Sequence, residues 1–294
     1  MDNAIEKYES RISKINPDIS IQKVVFNGEG LVNDIIIVND EIVFRFAKEE
    51  YGVQILKEEI AVLELLRPCV TLDVPKPFYV GQDVIAYPLL KGEALSRENF
   101  ASLDESAKQT VANQLATFLK ELHSIPIDST IPPTLAPVQY DDWVRIRQGV
   151  EEKVFPLLMK HQIVWANQLF DSVLDDSCSF DYESRLIHGD LGCYHILLDP
   201  QTSKLSGVID FGVAGVGDPA TDLSCLIQYY GESFVDRLKQ QYPEMQQYLK
   251  RARFYAQAIE LQWVLSGLSS GENFWFVAHL GGARDGTQSI HATE

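Results

Sequence analysis

The spacing of apolar residues in this chain alternates between a strand period of about two and a helix period of about three and a half, then settles into the longer one. Residues 4–15 form a short amphipathic helix. Residues 21–49, IQKVVFNGEGLVNDIIIVNDEIVFRFAKE, mix β-branched and aromatic runs with Gly, Asn and Asp turn signals. This predicts antiparallel strands joined by hairpins, with Val38-Asn39-Asp40 as a tight turn and Gly28 and Gly30 interrupting two strand-like segments. In residues 53–67, Leu56, Ile60, Leu63 and Leu66 recur at three-to-four-residue spacing, so a single helix with one buried face crosses the sheet. VPKPFYVG and VIAYPLLKG return to strand and loop, and prolines 75, 77 and 88 keep those pieces short.

From about residue 91 the helical period dominates. Ala107, Val111, Leu115, Phe118 and Leu122 mark one helix, the Pro-rich SIPIDSTIPPTLAP a loop, and residues 142–176 and 233–265 further helices. Between them, RLIHGDLGCYHILLDPQTSKLSGVIDFG has short apolar strands separated by polar loops. The expected organisation is α+β: a small antiparallel-sheet lobe over residues 1–90, a hinge near 88–92, and a larger, mainly helical lobe over 91–294.

At 294 residues and 46% hydrophobic content, the chain has enough apolar material for one large globular unit or two lobes sharing an interface. Lys+Arg 25 against Asp+Glu 42 gives a formal charge of −17, which argues against a nucleic-acid partner and would attract cationic small molecules. Cys69, Cys178, Cys193 and Cys225 form no CxxC pair, so neither a disulfide framework nor a zinc site is expected. No apolar run of about 18 residues follows the charged amino terminus, and a cytoplasmic protein with no membrane and no obligate protein partner is expected.

Candidate chemistry concentrates in His188-Gly189-Asp190, followed by His195 and then Ile209-Asp210-Phe211-Gly212 after an intervening hairpin. Two polar loops around a short strand pair can bring Asp190, His195 and Asp210 to one point. Two carboxylates and an imidazole suit phosphoryl transfer: Asp190 to orient a hydroxyl and accept its proton, Asp210 to coordinate a magnesium ion bridging phosphates. Either tripeptide alone is an ordinary turn sequence, whereas their pairing about twenty residues apart, with Asp218-Pro219 and Asp222 following, is distinctive. GxxxxGK[ST] is absent, so the nucleotide site is not of the P-loop type.

HGDLGCYHILLD at 188–199, GVIDFG at 207–212 and GDPATDL at 217–223 resemble the aminoglycoside phosphotransferase family, whose fold is similar to that of eukaryotic protein kinases and whose relatives include macrolide phosphotransferases and choline kinases. NGEGLVNDIIIVNDEIVFRFAKE and LKEEIAVLELL resemble that family's first lobe, so the likeness covers nearly the whole chain. The resemblance implies a bilobal protein-kinase-like fold, Asp190 as the catalytic aspartate, Asp210 as the metal aspartate and His188 as a residue shaping the catalytic loop. His195 stands where many relatives have a metal-binding asparagine, as in a subset of 2''-phosphotransferases and macrolide kinases. It either binds metal, contacts phosphate or shapes the loop.

Arg45 takes the place of the usual strand lysine that contacts nucleotide phosphates, with Glu59 as its expected partner and Lys48 as a second, more exposed candidate. Gly28 and Gly30 resemble a shortened glycine-rich nucleotide loop, and backbone groups near 87–90 are expected to hold the base. Asp218 and Asp222 are expected to be structural acids that hold the loops. Glu232, Asp236, Glu260, Trp263, Glu272 and Trp275 lie where relatives bind the acceptor. The implied activity is magnesium-dependent transfer of the terminal phosphoryl group of ATP or GTP to a hydroxyl of a cationic antibiotic, an aminoglycoside of the 2''-type reaction. The alternatives are a macrolide 2'-phosphotransferase, a small-metabolite kinase and a non-catalytic nucleotide-binding protein.

Overall fold

A computed structural model describes residues 2–28 and 32–270. Helix α1 (Asp2–Ile15) precedes strands β1 (Val24–Asn27), β2 (Asn33–Val38) and β3 (Ile42–Ala47). Helix α2 (Glu50–Leu66) then leads to β4 (Tyr79–Val80) and β5 (Val84–Pro88), and the five strands form one antiparallel sheet in the order β1-β2-β3-β5-β4. Asn39 and Asp40, at φ 56 and 54, turn β2 into β3, the left-handed pair that a two-residue hairpin requires.

The period of two along β3 decides what each face of the sheet holds. Phe44 and Phe46 pack with Ile36 and with Ile12 of α1, whereas Val43 packs with Leu56 of α2 on the other face. Arg45 shares the α2 side. The buried stripe of α2 comprises Val53, Ile55, Leu56, Glu59, Val62, Leu63 and Leu66, so Glu59 lies inside the apolar face and not at its edge. Ile60, expected in that stripe, is only partly buried.

The larger lobe begins with β6 (Glu93–Ala94), α3 (Arg97–Ser102) and α4 (Glu105–His123), followed by α5 (Tyr140–Gly149) and α6 (Lys160–Leu174). Pro156 sits in a short 3₁₀ turn between α5 and α6, where a ring without an N–H ends the helical ladder. Next come β7 (Arg185–Ile187), β8 (Ile196–Asp199), β9 (Lys204–Val208), β10 (Gly215–Gly217), α7 (Ala220–Tyr230), α8 (Glu232–Leu238) and α9 (Leu249–Ser270). Two small antiparallel sheets, β6-β8-β9 and β10-β7, hold the motif-bearing loops against these helices.

One core runs from Leu115, Phe118 and Leu122 of α4 through Leu223 and Leu226 of α7 to Phe254 and Tyr255 of α9. Val62, Leu63 and Leu66 at the end of α2 belong to that same core, so α2 bridges the sheet lobe and the helical lobe. Beyond α2, Asp73 lies against β9: its carbonyl accepts from the Val208 amide at 2.8 Å. The closeness of the two backbones depends on Gly207, where an added Cβ would lie 2.7 Å from the Asp73 carbonyl oxygen. Backbone cannot yield as a flexible side chain can, so Gly207→Ala is expected to lower stability by about 1–3 kcal/mol, measured by urea denaturation.

None of the four cysteines is in a disulfide. Among the described residues no helix is long and apolar enough to cross a membrane. Gly30, Glu272 and Trp275 lie outside the described residues.

Candidate active site

The loop after β7 carries His188, Gly189 and Asp190, and Gly189 adopts a φ of 81 that favours glycine. Two amides of this loop are captured by one buried carboxylate: His188 N–H and Gly189 N–H donate to Asp222 at 3.1 and 2.9 Å. His123 Nε2 lies 3.0 Å from the same carboxylate. Burial alone would raise the Asp222 pKa, but the hydrogen bond and charge of His123, together with the backbone donors, outweigh it and hold the carboxyl below its ordinary value.

His188 joins the two polar loops. Its Nε2 lies 3.0 Å from the Ile209 carbonyl, which can only accept, so Nε2 carries the proton and the bare Nδ1 accepts from the Asp190 amide at 3.3 Å. Burial favours this neutral form by pushing the His188 pKa down. One ring thereby couples the residue before Asp210 to Asp190.

His195, in the turn before β8, donates from Nδ1 to the Asp190 carbonyl at 2.7 Å and directs Nε2 toward Asp210 Oδ2, 3.6 Å away. Burial disfavours its charged form, yet the carboxylates of Asp190 and Asp210 prevail and raise its pKa. Asp210 has a φ of 65, a strained conformation for a residue with a Cβ. Its Oδ1 accepts from Arg45 at 3.2 Å. Burial works against the ionised carboxyl, but Arg45 and then His195 bring its pKa down to about 2.

The other terminal nitrogen of Arg45 donates to Glu59 at 2.6 Å in a buried pair. The expected Arg45–Glu59 partnership is therefore present, while Glu58 faces out and accepts from Gln54 at 2.7 Å. Lys48 is tied to the Gly28 carbonyl at 2.7 Å and lies 3.5 Å from Asp34. Near the hinge, the Leu89 amide donates to the Glu41 carbonyl at 2.7 Å.

Arg45, Asp190, His195 and Asp210 all line a cleft of about 510 Å³ between the lobes. No group of three or more His, Cys, Asp or Glu side chains among the described residues encloses a metal position by itself. That suits magnesium, which takes one or two carboxylates and draws its remaining oxygens from phosphates and water. Asp210 offers a half-exposed carboxylate for this, and the imidazole of His195 is a poorer magnesium ligand.

Asp218 is fully buried and accepts from Arg251 at 2.5 and 3.0 Å, from the Tyr255 hydroxyl at 3.0 Å and from the Ala220 amide at 3.0 Å. Of the expected acceptor residues, Trp263 lines the cleft. Glu260 accepts from Gln228 Nε2 at 2.5 Å, and the Gln228 side chain reaches the cleft wall. Glu232 is forked onto Arg253 at 2.7 and 2.9 Å, Asp236 pairs with Lys239 at 2.5 Å, and neither residue lines the cleft. Trp143, Tyr194, Thr221, Tyr229 and Gln262, none singled out along the chain, also line it. Their polar atoms carry no motif, and only the packing of helices distant in sequence brings them together.

Comparison with known proteins agrees with this geometry. The phosphotransferase enzyme family matches residues 23–255. Viomycin phosphotransferase of Streptomyces vinaceus is 26% identical over 245 residues, 80% of this chain and 83% of that protein. The uncharacterised protein YcbJ of Bacillus subtilis (strain 168) is 28% identical over 234 residues, 74% of each chain. The GDP and kanamycin complex of APH(2")-IIia superposes with a TM-score of 0.85 at 30% identity, covering 96% of this chain and 99% of that one.

Proposed function

The chain belongs to the phosphotransferase enzyme family, and on that premise we propose that it is a nucleoside-triphosphate-dependent antibiotic kinase of the aminoglycoside 2''-type. The observation that carries this is the convergence of Arg45, Asp190, His195 and Asp210 on one interlobe cleft, from positions up to 165 residues apart. The likeness to a solved aminoglycoside phosphotransferase with GDP and kanamycin supports the donor and acceptor classes.

In this mechanism Asp190 receives the proton of the acceptor hydroxyl at its carboxylate and aims that oxygen at the terminal phosphorus. Glu59 holds Arg45 so that its positive charge faces the phosphate end of the cleft. Asp210 would hold magnesium together with the nucleotide phosphates, and the bound ion supplies neutralisation of the charge spread over the phosphoryl oxygens. His195 steadies the loop through the Asp190 carbonyl. Asp218 and Asp222 are structural, fixing the segments that carry the reacting side chains. The division into a nucleotide lobe at 1–90 and a catalytic lobe at 91–294 belongs to this reading.

The test is mass-spectrometric detection of a magnesium-dependent gain of one phosphoryl group on kanamycin or gentamicin, with ATP and GTP supplied separately and Asp190→Asn as the control. Product from the wild type alone is expected, and silence on every aminoglycoside would remove the assignment. A macrolide acceptor is the second reading, favoured because Asp190 and Asp210 are the only carboxylates among the described residues that line the cleft, whose walls are otherwise largely aromatic and aliphatic. Erythromycin in the same panel decides between them.

A further inference from the structure

Seven buried side-chain nitrogen or oxygen atoms among the described residues lack a hydrogen-bond partner, and five of the residues that carry them line the interlobe cleft. Buried polar groups are nearly always paired, because desolvating one without compensation destabilises the fold. Such a concentration on one cavity wall is what a binding site leaves behind when its partner is a ligand. Two of the five, Asn33 and Arg45, come from the sheet lobe and belong with the phosphate chemistry already described. The other three do not. Trp143 Nε1 on α5, Thr221 Oγ1 on α7 and Gln262 Oε1 on α9 come from three separate helices of the larger lobe.

Their chemistry specifies an occupant. An indole N–H only donates, an amide oxygen only accepts, and a hydroxyl does both. Together they match a ring bearing hydroxyl and ether oxygens. All three are neutral, and the two carboxylates in the lining are committed to phosphoryl transfer. Trp143 is 1% exposed and stacks on Tyr255 with ring centroids 5.3 Å apart, so its N–H cannot swing away to find solvent. Tyr194, Tyr229 and Trp263 add apolar ring faces to the same cleft, and these suit the C–H faces of a sugar.

We propose that Trp143, Thr221 and Gln262 form a recognition set for a sugar ring of the acceptor, and that this chain selects its substrate by neutral hydrogen bonds beneath aromatic walls, not by carboxylates gripping amino groups. This rests on the phosphotransferase reading of the site and specifies its acceptor subsite. The ion pairs that occupy Glu232 and Asp236 outside the cleft accord with it.

Thr221→Val and Gln262→Leu test it, with Trp143→Phe as a third variant that removes the N–H and keeps a ring. For whichever of kanamycin and erythromycin the wild type phosphorylates, each variant is expected to raise the acceptor KM about three- to tenfold, a larger change than any in kcat, with the nucleotide KM unmoved. The melting temperature of Thr221→Val should hold or rise, since a methyl replaces a hydroxyl that has no partner in the fold. A merely structural threonine would instead lose stability and leave the KM split unchanged. Acceptor KM values within twofold of wild type in both Thr221→Val and Gln262→Leu would overturn the proposal while leaving the kinase reading intact. No wild-type turnover of either compound would overturn the kinase reading and the recognition set with it.

Discussion

Asp190→Asn is expected to lower kcat by about a thousandfold or more while nucleotide affinity stays within a factor of about three. The substitution keeps the size and polarity of the side chain and removes only the capacity to take a proton and to attract the acceptor hydroxyl as a full anion. Its local surroundings should survive, because the loop is held by backbone amides donating to Asp222 and by His188, and none of these bonds uses the Asp190 carboxylate. The nearest charged partner of that carboxylate is His195, at 3.8 Å, too far for a hydrogen bond. Single-turnover product formation by mass spectrometry, paired with calorimetric nucleotide binding, separates the two effects. Retained turnover would move the proton-accepting role away from Asp190.

Asp222→Ala is expected to cost about 3–5 kcal/mol of stability, the second large effect. The wild-type carboxylate is fully buried and serves His123 and two loop amides at once. Removing it orphans three buried donors in a place that water reaches poorly. Urea denaturation should show the loss as a lower midpoint, and activity should fall even where the variant remains folded, since Gly189 and Asp190 lose their anchor. The pH dependence has a definite sign. The folded-state pKa of Asp222 is depressed, so its contribution is complete above the unfolded value of about 3.9 and is lost as pH falls through the folded one. The stability gap between wild type and Asp222→Ala should therefore be constant near neutrality and narrow only in acid. A gap of less than about 1 kcal/mol at pH 7 would show that the loop is held by other means.

The two expectations differ in kind, and so does the origin of each residue's role. Asp190 and Asp210 stand in short motifs whose pairing is visible along the chain. Asp222 was foreseen as a holding residue, but its partners His123 and Gly189 lie 99 and 33 residues away. No local pattern names them.

What the chain determines by itself is whatever depends on near neighbours. Alternation in IVFRFA settles that Arg45 shares a face of β3 with Val43 and not with the phenylalanines, because successive side chains on a strand point to opposite sides. Asn39-Asp40 determines the hairpin because both residues tolerate left-handed backbone. Helical spacing in α2, and the motif loops after β7 and β9, are local in the same sense. Tertiary structure alone decided which faces meet. It set Glu59 in the middle of a buried stripe, where a carboxylate is tolerated only because Arg45 arrives from another element. It spent Glu232 and Asp236 on Arg253 and Lys239, although their charge and position suggested an acceptor site. It also brought Trp143, Thr221 and Gln262 from three helices to one wall, with polar atoms that no neighbour satisfies. Periodicity reports that a side chain is buried, whereas its partner depends on the packing of segments tens to hundreds of residues away.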